Sequence, residues 1–179
     1  MLSKQMQSSV EAEDSLASLI DILQCFPQAA SAWEAHILPS RIPDYQSQTL
    51  DLMMQSGSVC WVGSNPKQIQ FCFADNLSML QNSPAENTLF ADSFSRYDFL
   101  TLLDKTGLPA AELSERLWQE VWQGKVSNDT FSALRTGISQ GFKSIDTQPS
   151  PSPRSRRAGF RNWKRKIPFA GDWFLPRYS

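Results

Sequence analysis

The stretch Leu117-Trp118-Gln119-Glu120-Val121-Trp122-Gln123-Gly124-Lys125-Val126-Ser127-Asn128-Asp129-Thr130-Phe131 organises the reading of this chain. Its first half ends a helical pattern that runs from Ala110 to Gln123. Leu113, Leu117 and Val121 form one apolar row, and Trp118 and Trp122 form the row beside it. An aromatic pair four residues apart beside such a row reads as core; the alternative is a stacking platform for nucleic-acid bases. Gly124 ends the helix, and Lys125-Val126 gives a short extended link. Ser127-Asn128-Asp129 then supplies N-cap candidates for a helix through Phe131, Leu134 and Ile138, closed by Gly141. Two helices joined this tightly suggest a helix-turn-helix. The outward residues of the second helix are expected to be Ser132, Arg135 and Ser139, a poor set for reading base edges.

Upstream, Phe90 to Leu103 reads as a helix carrying Phe94, Phe99, Leu100 and Leu103, broken by Gly107-Leu108-Pro109; Asn76 to Asn87 reads as a connector. Before it lie two β-rich runs, Val59-Cys60-Trp61-Val62 and Ile69-Gln70-Phe71-Cys72-Phe73. The turn-rich Gly63-Ser64-Asn65-Pro66-Lys67 between them makes a hairpin. Three helices precede the hairpin. The first opens at Ser15, with Leu16, Leu19, Ile20 and Leu23 on one face, and stops at Pro27. The second covers Ala29 to Leu38, with Trp33 and Ile37 one turn apart, and ends at Pro39. The third begins at Asp44 to Ser47, continues through Leu50, Met53 and Met54, and closes at Ser56-Gly57.

Three short helices and a hairpin make a winged helix, although other small α+β units share that inventory. The expected fold is mainly α with small β-hairpins (α+β), arranged as tandem winged-helix modules. Residues 1–14 read as a frayed N-terminus, 15–81 as the first module, and 82–179 as the second, with a long basic wing or tail at 143–167.

The net charge of -1 conceals an asymmetry. Up to Phe142 there are 8 Lys and Arg against 16 Asp and Glu; from Lys143 onward there are 9 against 2. An acidic body joined to a basic tail suits a protein whose tail meets phosphate; a solvated tail that only maintains solubility is the alternative. Arg154, Arg156, Arg157, Arg161, Lys164, Arg165 and Lys166 follow one another closely, with Phe160 and Trp163 interleaved. Trp163 reads either as a stacking residue for a base or as an anchor docked on the body. Phe169, Trp173, Phe174 and Leu175 make the end apolar again. That end is therefore expected to return to the body as a strand, which would make 143–167 a long loop.

No apolar run is long enough to span a membrane, and the N-terminus has no secretory h-region. Cys25, Cys60 and Cys72 sit among apolar neighbours without zinc-ligand spacing, and His36 is the only histidine, so no metal site is expected. His36 itself reads as partly buried with a backbone partner. A cytoplasmic location and buried free thiols are expected from this cysteine usage.

The tryptophan-rich run resembles a motif of the bacterial large helicase-related (Lhr) family, a Leu-Trp-x-x-Val-Trp-x-Gly-x-x-x-Asn-Asp-Thr run followed by a Leu-Arg pair, here Leu134-Arg135. Leu38-Pro39-Ser40-Arg41 and the segment from Tyr45 to Gly63 resemble a second element of the same C-terminal region. Ala170-Gly171-Asp172-Trp173 resembles a closing Ala-Gly-Arg-Trp element, with Asp172 where the family has Arg. Ser58 likewise stands where the family usually has an acidic residue, and the segment Leu77 to Asn87 is shorter than the family's. The resemblance implies DNA as partner, single- or double-stranded, in the setting of an ATP-dependent DNA repair helicase. The chain has no phosphate loop and no magnesium-holding acidic motif, so it is expected to be a fragment or shortened product with no cofactor and no ATPase activity of its own.

The expected function is therefore that of a nucleic-acid-binding accessory module, with Arg135, Arg154, Arg156, Arg157, Arg161, Trp163, Lys164, Arg165 and Lys166 as contact residues. The alternatives are a protein-interaction or self-association module, with a helicase motor among the partners, or a remnant of a winged-helix DNA glycosylase-like domain. For the last, Asp172 is the candidate acid; the competing reading is a surface aspartate in a turn.

Overall fold

The computed structural model describes residues 2–80, 89–90, 92, 94–143 and 168–176; for residues 2–6 it describes the backbone alone. Helix α1 (Leu2–Leu23) starts at the beginning of the chain, not at Ser15. Its first turns have no glycine or proline and are rich in good helix formers, so the helix extends beyond the core-facing Leu16, Leu19 and Ile20. Strand β1 (Gln28–Ala29) follows. A continuous helical run then comprises α2 (Ala30–Ala32), a π-turn (Trp33–Ile37) and α3 (Leu38–Arg41). Pro39 does not end this run, as the sequence suggested. It lies in the first turn of α3, just after the Leu38 N–H has skipped back to the Trp33 carbonyl; the widened turn accommodates a residue with no N–H to donate. His36 in that turn is exposed, not half-buried.

Helix α4 (Ser47–Gln55) leads into the hairpin of β2 (Val59–Asn65) and β3 (Gln68–Phe73). The strands are antiparallel with Trp61 opposite Phe71, and β1 joins the other edge of β3, giving the order β1-β3-β2. This succession of helix, strand, two helices and hairpin is the winged-helix arrangement that the sequence implies. A 3-10 turn (Ala74–Met79) leaves the hairpin.

In the second half, β4 (Arg96–Tyr97) precedes α5 (Phe99–Thr106). The helix expected over Phe90 to Leu103 thus begins later. Asp98 caps it by accepting the Thr101 N–H at 2.7 Å, and Phe94 stands 71% exposed outside it. Helix α6 (Ala110–Trp122) follows the predicted bounds closely. Strand β5 (Ser127–Asn128) and α7 (Phe131–Ser139) come next. Thr130, not one of the three residues before it, caps α7, because Ser127 and Asn128 are pulled into the sheet and fully buried. The chain end does return as a strand. β6 (Trp173–Phe174) pairs antiparallel with both β4 and β5, in the order β4-β6-β5.

Trp118 is 3% exposed, which supports the core reading of the tryptophan row. It stacks on Trp122 at 5.6 Å and meets Phe142, Phe169 and Trp173 edge-on at 4.9, 5.5 and 5.5 Å. The buried cluster continues from Leu16 through Trp61 to Trp173, across both halves. The join between them is close. The Ser127 hydroxyl donates to the Trp61 carbonyl at 2.5 Å, and the Trp61 indole N–H donates to the Thr130 carbonyl at 3.1 Å. At Gly63 in β2, any Cβ would overlap the carbonyl of Val121 at the end of α6. Replacing Gly63→Ala is expected to destabilise the chain by about 3 kcal/mol, the upper end for overpacking, because the obstacle is backbone. Urea denaturation measures this; an unchanged midpoint would show that the halves are not pressed together there.

Candidate functional site

Two places in the described structure gather charged side chains. The first surrounds Arg135 on α7. The helix-turn-helix reading expected its guanidinium to face outward; it is half-buried and already paired. Its Nε and Nη2 donate to the two Glu34 oxygens at 2.7 Å each, and Nη1 donates to Asp51 at 2.8 Å. Glu34 also accepts the Tyr45 hydroxyl at 2.8 Å. The hydrogen bonds to Glu34 hold the guanidinium more firmly protonated than usual, against the opposing effect of burial. Burial and then the Glu34 hydrogen bond push the Tyr45 phenol above its ordinary range. Asp51 lies on α4, the helix in the recognition position of the first winged helix, so α7 of the second half is fastened to it. Arg135 is therefore engaged within the chain, and phosphate would have to compete with two carboxylates already in place. The other outward residues expected on α7 are modestly placed: Ser132 is half-buried, and only Ser139 is exposed.

The second place is where the Asn128-Asp129-Thr130 and Ala170-Gly171-Asp172 segments interlock. The Asp172 backbone N–H donates to Asp129 Oδ1 at 2.8 Å, and the Asp129 N–H donates to the Asp172 carbonyl at 3.0 Å. Asn128 donates from its amide to the Ala170 carbonyl at 3.2 Å and accepts the Thr130 N–H at 2.8 Å. Gly171 has φ of 73°, and a Cβ there would press on the side chains of Asn128, Asp129 and Thr130. The sequence pattern shows both segments, 40 residues apart, but only the fold shows that they form one structure. Arg96, which the sequence did not single out, lies 3.6 Å from Asp129 Oδ2 and stacks 4.3 Å above the Phe174 ring. A lone arginine in a strand two residues long gives no sequence signal for this role.

Asp172 thus has two carboxylates and one guanidinium for neighbours. Burial, then Asp129, then Asp98 raise its carboxyl pKa, and Arg96 opposes them. Nearby acids disfavour the ionised form of a carboxyl.

Residues Arg154, Arg156, Arg157, Arg161, Trp163, Lys164, Arg165 and Lys166 lie outside the described residues. The flanks of their segment are described, and they converge: Phe142 on one side and Phe169 on the other both contact Trp118.

Each site generates a test. Arg135→Ala leaves two half-buried carboxylates unpaired and is expected to cost about 2 kcal/mol in urea denaturation, below the figure for a fully buried pair because all three side chains keep some solvent. Loss of nucleic-acid affinity with unchanged stability would instead make Arg135 a contact residue. For Asp172 the sign follows from a folded-state pKa above the unfolded one. Its ionisation weakens folding as pH rises above the ordinary carboxylate range of about 4. Asp172→Asn is therefore expected to raise the melting temperature at pH 7 and leave it unchanged at pH 3; a fall at pH 7 would contradict the crowded-carboxylate geometry.

Comparison with known proteins agrees with this architecture. Residues 2–74 match the family model described as "Large helicase-related protein, winged-helix domain". The chain is 33% identical over 143 residues to a Mycolicibacterium smegmatis protein named "Lhr helicase/ probable uracil glycosylase", an alignment that covers 70% of this chain and 9% of that protein. It is 27% identical over 169 residues to an Escherichia coli "Lhr helicase/uracil glycosylase", covering 82% of this chain and 11% of that protein. The chain thus spans about a tenth of the length of these relatives. Residues 2–74 thus match the Lhr winged-helix domain, and over most of its length the chain is similar to Lhr helicases.

Proposed function

We propose that this chain is a nucleic-acid-binding accessory unit corresponding to the C-terminal region of an Lhr-type helicase, organised as two winged-helix modules at 15–81 and 82–179, and that its affinity resides in the basic arm at 143–167. The observation that carries this reading is the charge division along the chain. A body with twice as many acidic as basic residues attracts phosphate poorly, while Arg154, Arg156, Arg157, Arg161, Lys164, Arg165 and Lys166 have no acidic residue among them. The engagement of Arg135 by Glu34 and Asp51 supports the same division of labour, because the helix-turn-helix arginine is already used. The flanks at Phe142 and Phe169 both rest on Trp118, a rigid base from which such an arm would reach DNA. Trp163 adds a base-stacking surface within the arm, and a helicase motor is the partner such a unit would serve.

A second reading rests on Asp172. The names of both relatives include uracil glycosylase, and base excision needs a carboxyl that activates water or stabilises the sugar cation. The raised Asp172 beside Asp129 and Arg96 is the described group with that character. In this reading the arm holds the strand, and Asp172 acts on the extruded nucleotide.

Salt titration of DNA binding tests the first reading. Log affinity is expected to fall with log salt at about -0.9 per phosphate neutralised, so engagement of half the arm gives roughly a hundredfold loss between about 50 and 200 mM salt. Unrelated sequences are expected to bind alike, since the contacts are to backbone. Substituting alanine for Arg154, Arg156, Arg157 and Arg161 together is expected to flatten the slope and preserve the melting temperature. An unaltered slope, or no binding to DNA or RNA at low salt, would move the chain to the protein-interaction class. For the second reading, uracil release from single-stranded DNA by the purified chain, lost in Asp172→Asn, is the expected result.

A further inference from the structure

The three cysteines gather at one level of the first sheet. Cys60 and Cys72 are direct partners across β2 and β3, and the Cys60 thiol donates to the Cys72 carbonyl at 3.4 Å. On the other side of β3, the Cys25 N–H donates to the Phe71 carbonyl at 3.1 Å, the Cys72 thiol donates to the Phe73 carbonyl at 3.2 Å, and Cys25 packs against the cluster that holds Cys60 and Cys72. All three belong to a small apolar cluster with Val62, Leu77 and Leu80, separate from the main core. Their accessibility differs: Cys60 and Cys72 are buried, whereas Cys25 is partly exposed in the turn between α1 and β1. Cys25 also has φ of 60°, a left-handed conformation that a residue with a Cβ adopts only when its surroundings hold it there. The Phe71 carbonyl and the thiol cluster are those surroundings.

We propose that Cys25 and Cys72 form a reversible redox pair, with Cys25 as the entry thiol for a small-molecule disulfide of the glutathione class and Cys72 as the resolving thiol. In the first step the Cys25 thiolate attacks one sulfur of the small disulfide. That S–S bond breaks, a mixed disulfide forms on Cys25, and the departing half takes up a proton as a free thiol. In the second step the Cys72 sulfur, losing its proton, attacks the Cys25 sulfur. The Cys25–Cys72 bond forms, and the second half leaves as another thiol. Two protein thiols are oxidised and one small disulfide is reduced to two thiols, with two protons transferred. Burial pushes the Cys72 thiol up to about 12, so the second step depends on proximity and is the slow one. Cys60 stays outside the exchange because it lies on β2, with β3 and Cys72 between it and Cys25. The bond would fasten the end of α1 to the central strand of the winged helix.

The test is incubation of the intact chain with oxidised glutathione, followed over time by intact mass and by peptide mapping without reductant. The expected course is a single glutathione adduct on Cys25 that gives way to a chain two hydrogens lighter, bridged between Cys25 and Cys72, with a raised melting temperature that reductant reverses. Cys60→Ser is expected to keep this course, Cys72→Ser to stop at the adduct, and Cys25→Ser to show neither product. An adduct on Cys25 that persists in the unaltered chain would overturn the proposal, as would a bridge involving Cys60.

Discussion

Strand β2 serves both halves of the molecule, and the rest of the structure depends on that double use. One edge of β2 pairs with β3 to build the winged-helix hairpin. At the same strand, Trp61 accepts the Ser127 hydroxyl and donates to the Thr130 carbonyl, while Gly63 lets the end of α6 approach to backbone contact. The second half therefore has no separate floor to its core. Trp61 is fully buried, and the apolar cluster continues past it in both directions. The polar counterpart is Arg135, whose three-way engagement of Glu34 and Asp51 fixes the rotation of α7 against α4. Hydrophobic contact is non-directional and leaves that rotation open; a forked guanidinium between two carboxylates does not.

This arrangement explains which parts of the fold the sequence revealed. The hairpin, α4 and α6 were legible because each carries a local signal: alternation, a closing glycine at Gly57, and two adjacent apolar rows in α6. The return of the chain end as a strand was legible from the density of aromatic residues after Pro168, and those residues do pack on Trp118. The misreadings have physical causes. Residues 2–14 form helix without an apolar face to announce it, because propensity alone suffices there. The start of α5 is set by the Asp98 cap, and the aromatic spacing at Phe90 and Phe94 imitates a helix that does not form. Pro39 misled because the π-turn before it accommodates the missing donor.

The candidate site was legible as two motifs and illegible as a place. Asn128-Asp129-Thr130 and Ala170-Gly171-Asp172 each stood out, but their interlock is a tertiary fact. Arg96 became visible only through its neighbours, Asp129 and Phe174. Arg135 illustrates the opposite error. On a helical wheel it faces outward, and only the packing of one half on the other turns that outward face into an interface.

Taken together, α4 and α7 hold the two halves in one arrangement through Arg135, Glu34 and Asp51, and in the function proposed above it is the basic arm that meets nucleic acid. Hydrogen–deuterium exchange of the whole chain with and without a single-stranded DNA oligonucleotide tests this most directly. The account predicts new protection within residues 143–167 and around Asp172, with exchange in α4 and α7 unchanged. Protection concentrated in α4 and α7, with the arm unaffected, would contradict it.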